Sequence, residues 1–326
     1  VISDYNMKKL KISDNQLMKK KGADKLGDGI GARHSALQII KMVLIYKRSL
    51  SKIKENKDSP LQSLDINQKA RCLSIIDTVL RFMTSIDQIL EKYLKRDPNI
   101  IVKNILRIFI AELLFDKISA HACVNSAVVL AKLNKKSFHY SGLVNAVCRK
   151  ISLDFEKDGI EIPKATLTGD LLDQLKKNYG EAVTKKISDV IMKAQPIDIT
   201  VKNKKELYFF QKALGATFLT NGTLRLFNTR QITKLVGFRE GEWWVQEFSS
   251  SIPVKLLGDL RGKNVLDVCG APGGKTMQLA SMGAEVTSIE VSKQRIVKLK
   301  NNLQRTNLRA DVINIDIHDY KADKFF

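Results

Sequence analysis

A chain of 326 residues with 44% hydrophobic and 27% charged residues is long enough to bury the cores of two or three domains. No apolar run reaches transmembrane length and the start lacks the apolar centre of a signal peptide, which excludes a membrane-embedded protein and sets the expectation of a cytoplasmic one with no membrane partner. The net charge of +21 points to a polyanion, nucleic acid first, although a compositional bias toward lysine would by itself produce part of it.

Residues 1–31 read as a basic, glycine-punctuated flexible leader. Residues 32–157 read as an all-α domain. Ala36, Ile39, Ile40, Val43 and Leu44 share one face at helical spacing. Cys72, Ile75, Ile76, Val79, Leu80, Met83 and Ile86 form a second stripe, expected to run on to Leu94. Asp97-Pro98 reads as an N-cap and first helical residue ahead of the apolar run Ile101, Ile105, Ile108, Phe109 and Ala111–Leu114. Two more helices are expected near Ala120–Leu133 and Gly142–Phe155. The four cysteines, Cys72, Cys123, Cys148 and Cys269, show no CxxC pairing, and no histidine stands beside them at ligand spacing. Reduced thiols and no metal are expected.

Residues 158–245 read as linker helices and a small α+β module. Glu161–Thr168 looks like a linker, followed by helices Asp170–Tyr179 and Ala182–Met192. Short strands are expected at Ile197–Val201, Thr217–Leu219, Leu224–Phe227 and Trp243–Val245, with a helix at Lys205–Leu214. Lys202, Lys204, Lys205, Lys212, Arg225, Arg230, Lys234 and Arg239 accompany Tyr208, Phe209 and Phe210. That mixture fits an RNA-contacting surface, and equally a set of core aromatics under solvated lysines.

Residues 246–326 read as the first half of a Rossmann-like α/β domain. Strands Asn264–Val268, Glu285–Val291 and Ala310–Ile315 alternate with helices Lys275–Met282 and Ser292–Thr306, one βαβαβ half of a doubly wound sheet. The first turn is a glycine loop, Cys269, Gly270, Ala271, Pro272, Gly273, Gly274 and Lys275. A P-loop places four residues between its first glycine and the glycine of its GK pair; here Gly270 and Gly274 are separated by only Ala271, Pro272 and Gly273. A nucleoside triphosphatase is therefore ranked low. Glu290, at the end of the second strand, is placed to accept hydrogen bonds from ribose hydroxyls. Asp316 is expected to close the third strand near a purine amino group. A glycine turn, a ribose acid and a base-edge acid suit an adenosine ligand without a phosphate requirement, such as S-adenosyl-L-methionine, whose carboxylate would face the helix start at Lys275-Thr276. The competing account makes Glu290 and Asp316 merely polar strand ends.

DVCGAPGGKT (267–276) resembles the cofactor motif of the RNA 5-methylcytosine methyltransferases, whose usual form has Ala where Gly270 stands. GEWWVQEFSSSIPVKLL (241–257) looks like the segment leading into that motif, with Val245-Gln246 and Pro253 matching. RHSALQII (33–40), PNIIVKNILRIFIAELLFDKISAHACVNSAVVLAK (98–132) and GLVNAVCRKI (142–151) are similar to the NusB-type antitermination domain. The combination resembles the bacterial small-subunit rRNA cytosine-C5 methyltransferases of the RsmB/Sun type. The resemblance implies S-adenosylmethionine held by Cys269 through Lys275, Glu290 and Asp316, with small-subunit rRNA as partner. It makes Cys269 a loop residue and not the nucleophile.

Methylation of cytosine C5 needs a cysteine thiolate that adds to C6 and a base that removes the C5 proton. The resemblance puts that cysteine and a second one after the fourth and fifth strands, and YKADKFF (320–326) reads as the lead into the fourth. The expectation is a truncated enzyme, inactive as it stands, with an unpaired edge on its third strand and with a second chain as a candidate to complete it. The alternative is a non-catalytic RNA-binding protein that uses the NusB-like domain.

Overall fold

The computed structural model describes residues 29–193, 195–227, 232–322 and 325–326. The expected leader up to Asp28 and Arg230 of the basic module lie outside the described residues. The chain divides into two compact units, Val1–Lys193 and Ala194–Phe326.

The first unit is helical: α1 (Ile30–Leu44), α2 (Leu50–Glu55), α3 (Ile66–Arg81), α4 (Met83–Glu91), α5 (Ile100–Ile110), α6 (Ala120–Leu133), α7 (Ser141–Asp158) and α8 (Asp170–Ile191), with a π-turn at Ala111–Phe115. The stripes read from the sequence converge on one core, in which Ile39, Ile40, Ile75, Ile76, Ile105, Leu106 and Phe109 are buried. Asp65 and Gln68 form a reciprocal capping box at the start of α3. Two boundaries differ from expectation. The second stripe breaks at Phe82, whose ring stacks on Phe115 at 4.5 Å, so α3 and α4 are separate helices ending at Glu91. The cap of α5 is Asn99, whose side chain accepts from the N–H groups of Ile101 and Val102, while Asp97 instead binds Lys103 at 2.9 Å. The interruption expected between Tyr179 and Ala182 is present as a break inside α8 at Gly180, where φ is 73°.

Two sets of buried charges in this unit are paired. Glu112 is 2% exposed and accepts from Arg33 Nε at 2.6 Å and from Arg71 at 2.9 Å. Arg107, 6% exposed, forks onto both oxygens of Asp87 at 2.7 and 2.6 Å. Such pairs are costly to break, because one partner then stays buried as an uncompensated charge.

The second unit begins with an antiparallel sheet of β1 (Ile197–Val201), β2 (Thr217–Phe218), β3 (Leu224–Leu226) and β4 (Trp243–Val245), in the order β2-β3-β1-β4. Helix α9 (Leu207–Ala213) packs Phe210 against Leu224 and Trp243 in its core. After α10 (Phe248–Leu256) come β5 (Asn264–Val268), α11 (Gly274–Ser281), β6 (Glu285–Ile289), α12 (Lys293–Thr306) and β7 (Asp311–Ile313). These strands pair in parallel in the order β5-β6-β7, with Leu266 opposite Thr287 and Ser288 opposite Val312. β6 is central and buried from Val286 to Ile289, whereas β5 stands at an edge, half-buried, with Val268 43% exposed. The open edge thus includes β5 as well as the third strand, β7.

The two sheets of this unit share packing. Trp244 of β4 lies in one apolar cluster with Ala271, Met277, Leu299 and Leu303. Arg305 of α12 donates to the carbonyls of Phe238 and Trp243, and its guanidinium sits 4.2 Å from the Phe238 ring. Gly241 permits this approach: its φ is +75°, and a Cβ there would overlap the Arg305 carbonyl.

Candidate cofactor-binding site

The C-terminal ends of β5, β6 and β7 lie at one end of the parallel sheet, where open α/β sheets hold their ligands. β5 delivers Asp267, buried to 8% exposure, to this end. Thr276 in the first turn of α11 donates to Asp267 Oδ2 at 2.5 Å and lies 3.4 Å from Ser288 Oγ of β6. Burial raises the Asp267 carboxyl above its ordinary 3.8, against the opposing pull of the Thr276 hydroxyl and Lys275. The Asp267–Thr276 bond lashes the start of α11 to the end of β5.

Between them the loop turns tightly. Gly270 N–H donates to the Ile289 carbonyl at 3.1 Å, and Gly273 N–H donates to the Gly270 carbonyl at 2.8 Å. A Cβ on Gly270 would collide with Ser288 Oγ and crowd Asp267 and Thr276, so the hydroxyl lashing explains why Ala does not stand here. Cys269 is exposed with φ of 61°, and Gly273 caps α11 in the left-handed region with no side-chain acceptor over the first-turn N–H groups. Ala271 and Gly273 are buried, whereas Lys275 is exposed.

Side chains of α12 hold the outer wall of the loop. Asn302 donates to the Pro272 carbonyl at 2.9 Å, and Arg295 donates to the Ala271 carbonyl. Arg295 also lies 3.1 Å from Glu290 Oε2. Glu290 is 2% exposed; its Oε1 accepts from Ser292 N–H at 3.0 Å, while Oε2 is buried without a hydrogen-bond donor. A buried carboxylate at a strand end, with one oxygen that makes no hydrogen bond and faces an ion-paired arginine, can accept a ligand hydroxyl where the arginine gives way. An acceptor of this kind has the chemistry that a ribose hydroxyl requires.

Asp316 departs from expectation. β7 ends at Ile313, and Asn314 then bends the chain by donating to the carbonyls of Glu290 and Val291 at 2.8 and 2.9 Å. Asp316 therefore lies in a turn beyond the strand, exposed, with Oδ1 accepting from His318 N–H at 3.0 Å. It stays at the same end of the sheet as Glu290.

A buried relay behind the loop escaped the sequence reading. Trp244 Nε1 donates to Gln246 Oε1 at 3.0 Å, Gln246 Nε2 donates to Gln278 Oε1 at 2.5 Å, and Gln278 Nε2 donates to the Ser251 carbonyl at 2.9 Å. Gln246 had a signal, in the segment resembling the lead into the motif; Gln278, Arg295 and Asn302 had none.

The other thiols lie in the helical unit. Burial pushes Cys72 and Cys123 up to about 12 and raises Cys148 as well, which leaves them un-ionised and unreactive at neutral pH. Among the described residues no group of His, Cys, Asp and Glu is placed to hold a metal ion, and no helix is long and apolar enough to cross a membrane. In the basic module Phe210 is core, but Tyr208 and Phe209 are 64% and 60% exposed.

Residues 31–153 match the NusB family, and residues 254–325 match the family described as 16S rRNA methyltransferase RsmB/F. The ribosomal RNA small subunit methyltransferase B of Pasteurella multocida is 30% identical over 297 residues, covering 87% of this chain and 66% of the relative. Its namesake in Photorhabdus laumondii is 27% identical over 310 residues, covering 86% of this chain and 68% of that protein. The chain thus spans about two thirds of the length of these curated relatives. The crystal structure of PH0851 superposes with a TM-score of 0.59 at 16% identity, covering 91% of this chain and 71% of that one, a likeness of fold. The chain joins a NusB-family domain to sequence of the RsmB/F methyltransferase family, and over most of its length it is similar to the small subunit methyltransferases B.

Proposed function

We propose that this chain is the cofactor-holding and RNA-engaging portion of an S-adenosylmethionine-dependent enzyme that forms 5-methylcytosine in small-subunit rRNA. The observation that carries the reading is Glu290: a buried carboxylate with an unbonded oxygen, at the end of β6 beside the glycine loop. In this reading Cys269 through Lys275 cradle the amino-acid end of the donor, Glu290 takes the ribose hydroxyls and Asp316 approaches the adenine. Bound there, S-adenosylmethionine would supply an electrophilic methyl group. The uncapped first turn of α11 favours the donor's carboxylate. Arg295 occupies the ribose acceptor as a stand-in cation and would yield Oε2 to a hydroxyl.

The domain division we propose follows the expected one: a leader to residue 31, an RNA-binding NusB-like domain over 32–157, connecting helices and the small module over 158–245, and the methyltransferase portion from 246. The 326-residue polypeptide alone transfers no methyl group, because three of its four thiols are buried in the helical unit and the fourth lies in the donor loop. The missing nucleophile then comes from sequence outside these residues or from a second chain. The test is incubation of the purified chain with tritiated S-adenosylmethionine and small-subunit rRNA. Label retained by the protein with none on the RNA is expected. Label on cytosine would contradict the catalytic part; no retention would contradict the donor site and favour a purely RNA-binding role.

A further inference from the structure

We propose that α9 and the turn before it form a platform for single-stranded RNA. The proposal rests on the RNA-methyltransferase reading for the class of polyanion. The turn Lys204–Glu206 is fixed by Asn203, whose side chain accepts from Lys205 N–H at 3.0 Å. In α9 Phe210 faces the core at 3% exposure, and the next two rings back along the chain, Phe209 and Tyr208, face solvent. Both exposed rings are held by a neighbour. Lys212 Nζ stands 4.6 Å from the Tyr208 ring centroid, and Phe209 meets Phe210 edge-on at 5.0 Å.

Around the rings the charge is one-sided. From Lys202 to Lys212 the chain carries Lys202, Lys204, Lys205 and Lys212 against Glu206, and Lys202 alone of these is paired, with Glu242 at 3.6 Å, among the described residues. Lys204, Lys205 and Lys212 are exposed. A further cation arrives from α10: Lys255 donates to the Asn221 carbonyl, and its Nζ and a methyl of Leu207 would each stand 4.0 Å from a Cβ on Gly222. Burial, and after it the positive charge of Lys204, lower the Lys255 pKa. Rings for bases and cations for phosphates, side by side, are the two elements of single-strand recognition; a duplex keeps its base faces stacked away from such rings.

The test is fluorescence anisotropy of the full chain with a labelled single-stranded oligonucleotide and with its duplex. The double variant Tyr208→Ala, Phe209→Ala should bind the single strand about tenfold or more weakly with an unchanged salt slope. Lys204→Gln, Lys205→Gln, Lys212→Gln should lower the slope of log affinity against log salt by about 2, at about 0.7 for each phosphate no longer neutralised. A 4-thiouridine strand should crosslink to the Tyr208–Phe209 peptide. Circular dichroism and retention of labelled S-adenosylmethionine should match the parent chain in both variants. Parent-like RNA affinity in the aromatic variant, preference for duplex, no RNA binding by the parent chain, or crosslinks confined to other peptides would overturn the platform. If the parent chain fails to retain donor while the RNA effects appear, the methyltransferase reading falls and the platform stands.

Discussion

Glu112 and Glu290 are equally buried, at 2% exposure, yet they do different work. Glu112 has its oxygens taken by Arg33 and Arg71 and belongs to the frame of the helical unit. Glu290 keeps one oxygen without a hydrogen bond, opposed only by the partly exposed Arg295. Glu112→Ala would strand the buried Arg33 and should cost about 3–5 kcal/mol, read as a fall in the urea midpoint; an unchanged midpoint would refute the structural assignment. Cys269 is the exposed thiol, so a thiol reagent should modify one cysteine per folded chain, at Cys269, and all four after denaturation. Rapid native labelling of Cys72, Cys123 or Cys148 would contradict their burial. Glu290, the loop position of Cys269 and the apolar setting of Cys72 were legible in the sequence; the charged partners were not. Glu112 hid inside an apolar run, and Arg295 looks like any other cation on α12, a helix rich in lysine and arginine. Both acquire their roles from partners that folding alone brings near.

Elements were legible where a period or a turn signal reached into the sequence. Ala120–Leu133, Ile197–Val201, Trp243–Val245 and Asn264–Val268 were expected at the bounds they take. Boundaries set by the hydrogen bonds of one side chain were not: Asn99 displaced Asp97-Pro98 as the cap of α5, and Asn314 ended β7 ahead of Asp316. The same dependence makes the join between β1 and α10 sensitive to pH. Burial pushes the Asp198 carboxyl up, but Arg225 at 2.7 and 2.8 Å and the Phe248 N–H at 3.0 Å outweigh it and hold the group below 3.8. A depressed carboxyl contributes stability above its unfolded value and loses it as pH falls through the lower folded value. Stability of the second unit should therefore decline below about pH 4, and Asp198→Asn should flatten that decline while lowering stability at neutral pH. An identical acid limb in the variant would show that Asp198 is not the group responsible.

At the scale of the whole molecule, charge and surface point outward to partners. The surplus of +21 and the basic, ring-bearing face of α9 suit a polyanion. The half-buried edge strand β5, with Val268 exposed and Leu256 and Leu257 80% and 53% exposed nearby in sequence, is a surface that further sheet would cover. Sedimentation at rising concentration should show reversible self-association of this chain, and a strictly monomeric chain would mean the edge is tolerated bare. The central claim concerns the end of β6. Calorimetric titration with S-adenosylmethionine tests it most directly: the parent chain should bind with a measurable heat, and Glu290→Gln should bind roughly ten- to a hundredfold more weakly, the loss expected for hydrogen bonds to a charged acceptor. Equal affinity in the two proteins would contradict the assignment of Glu290 to the donor's ribose.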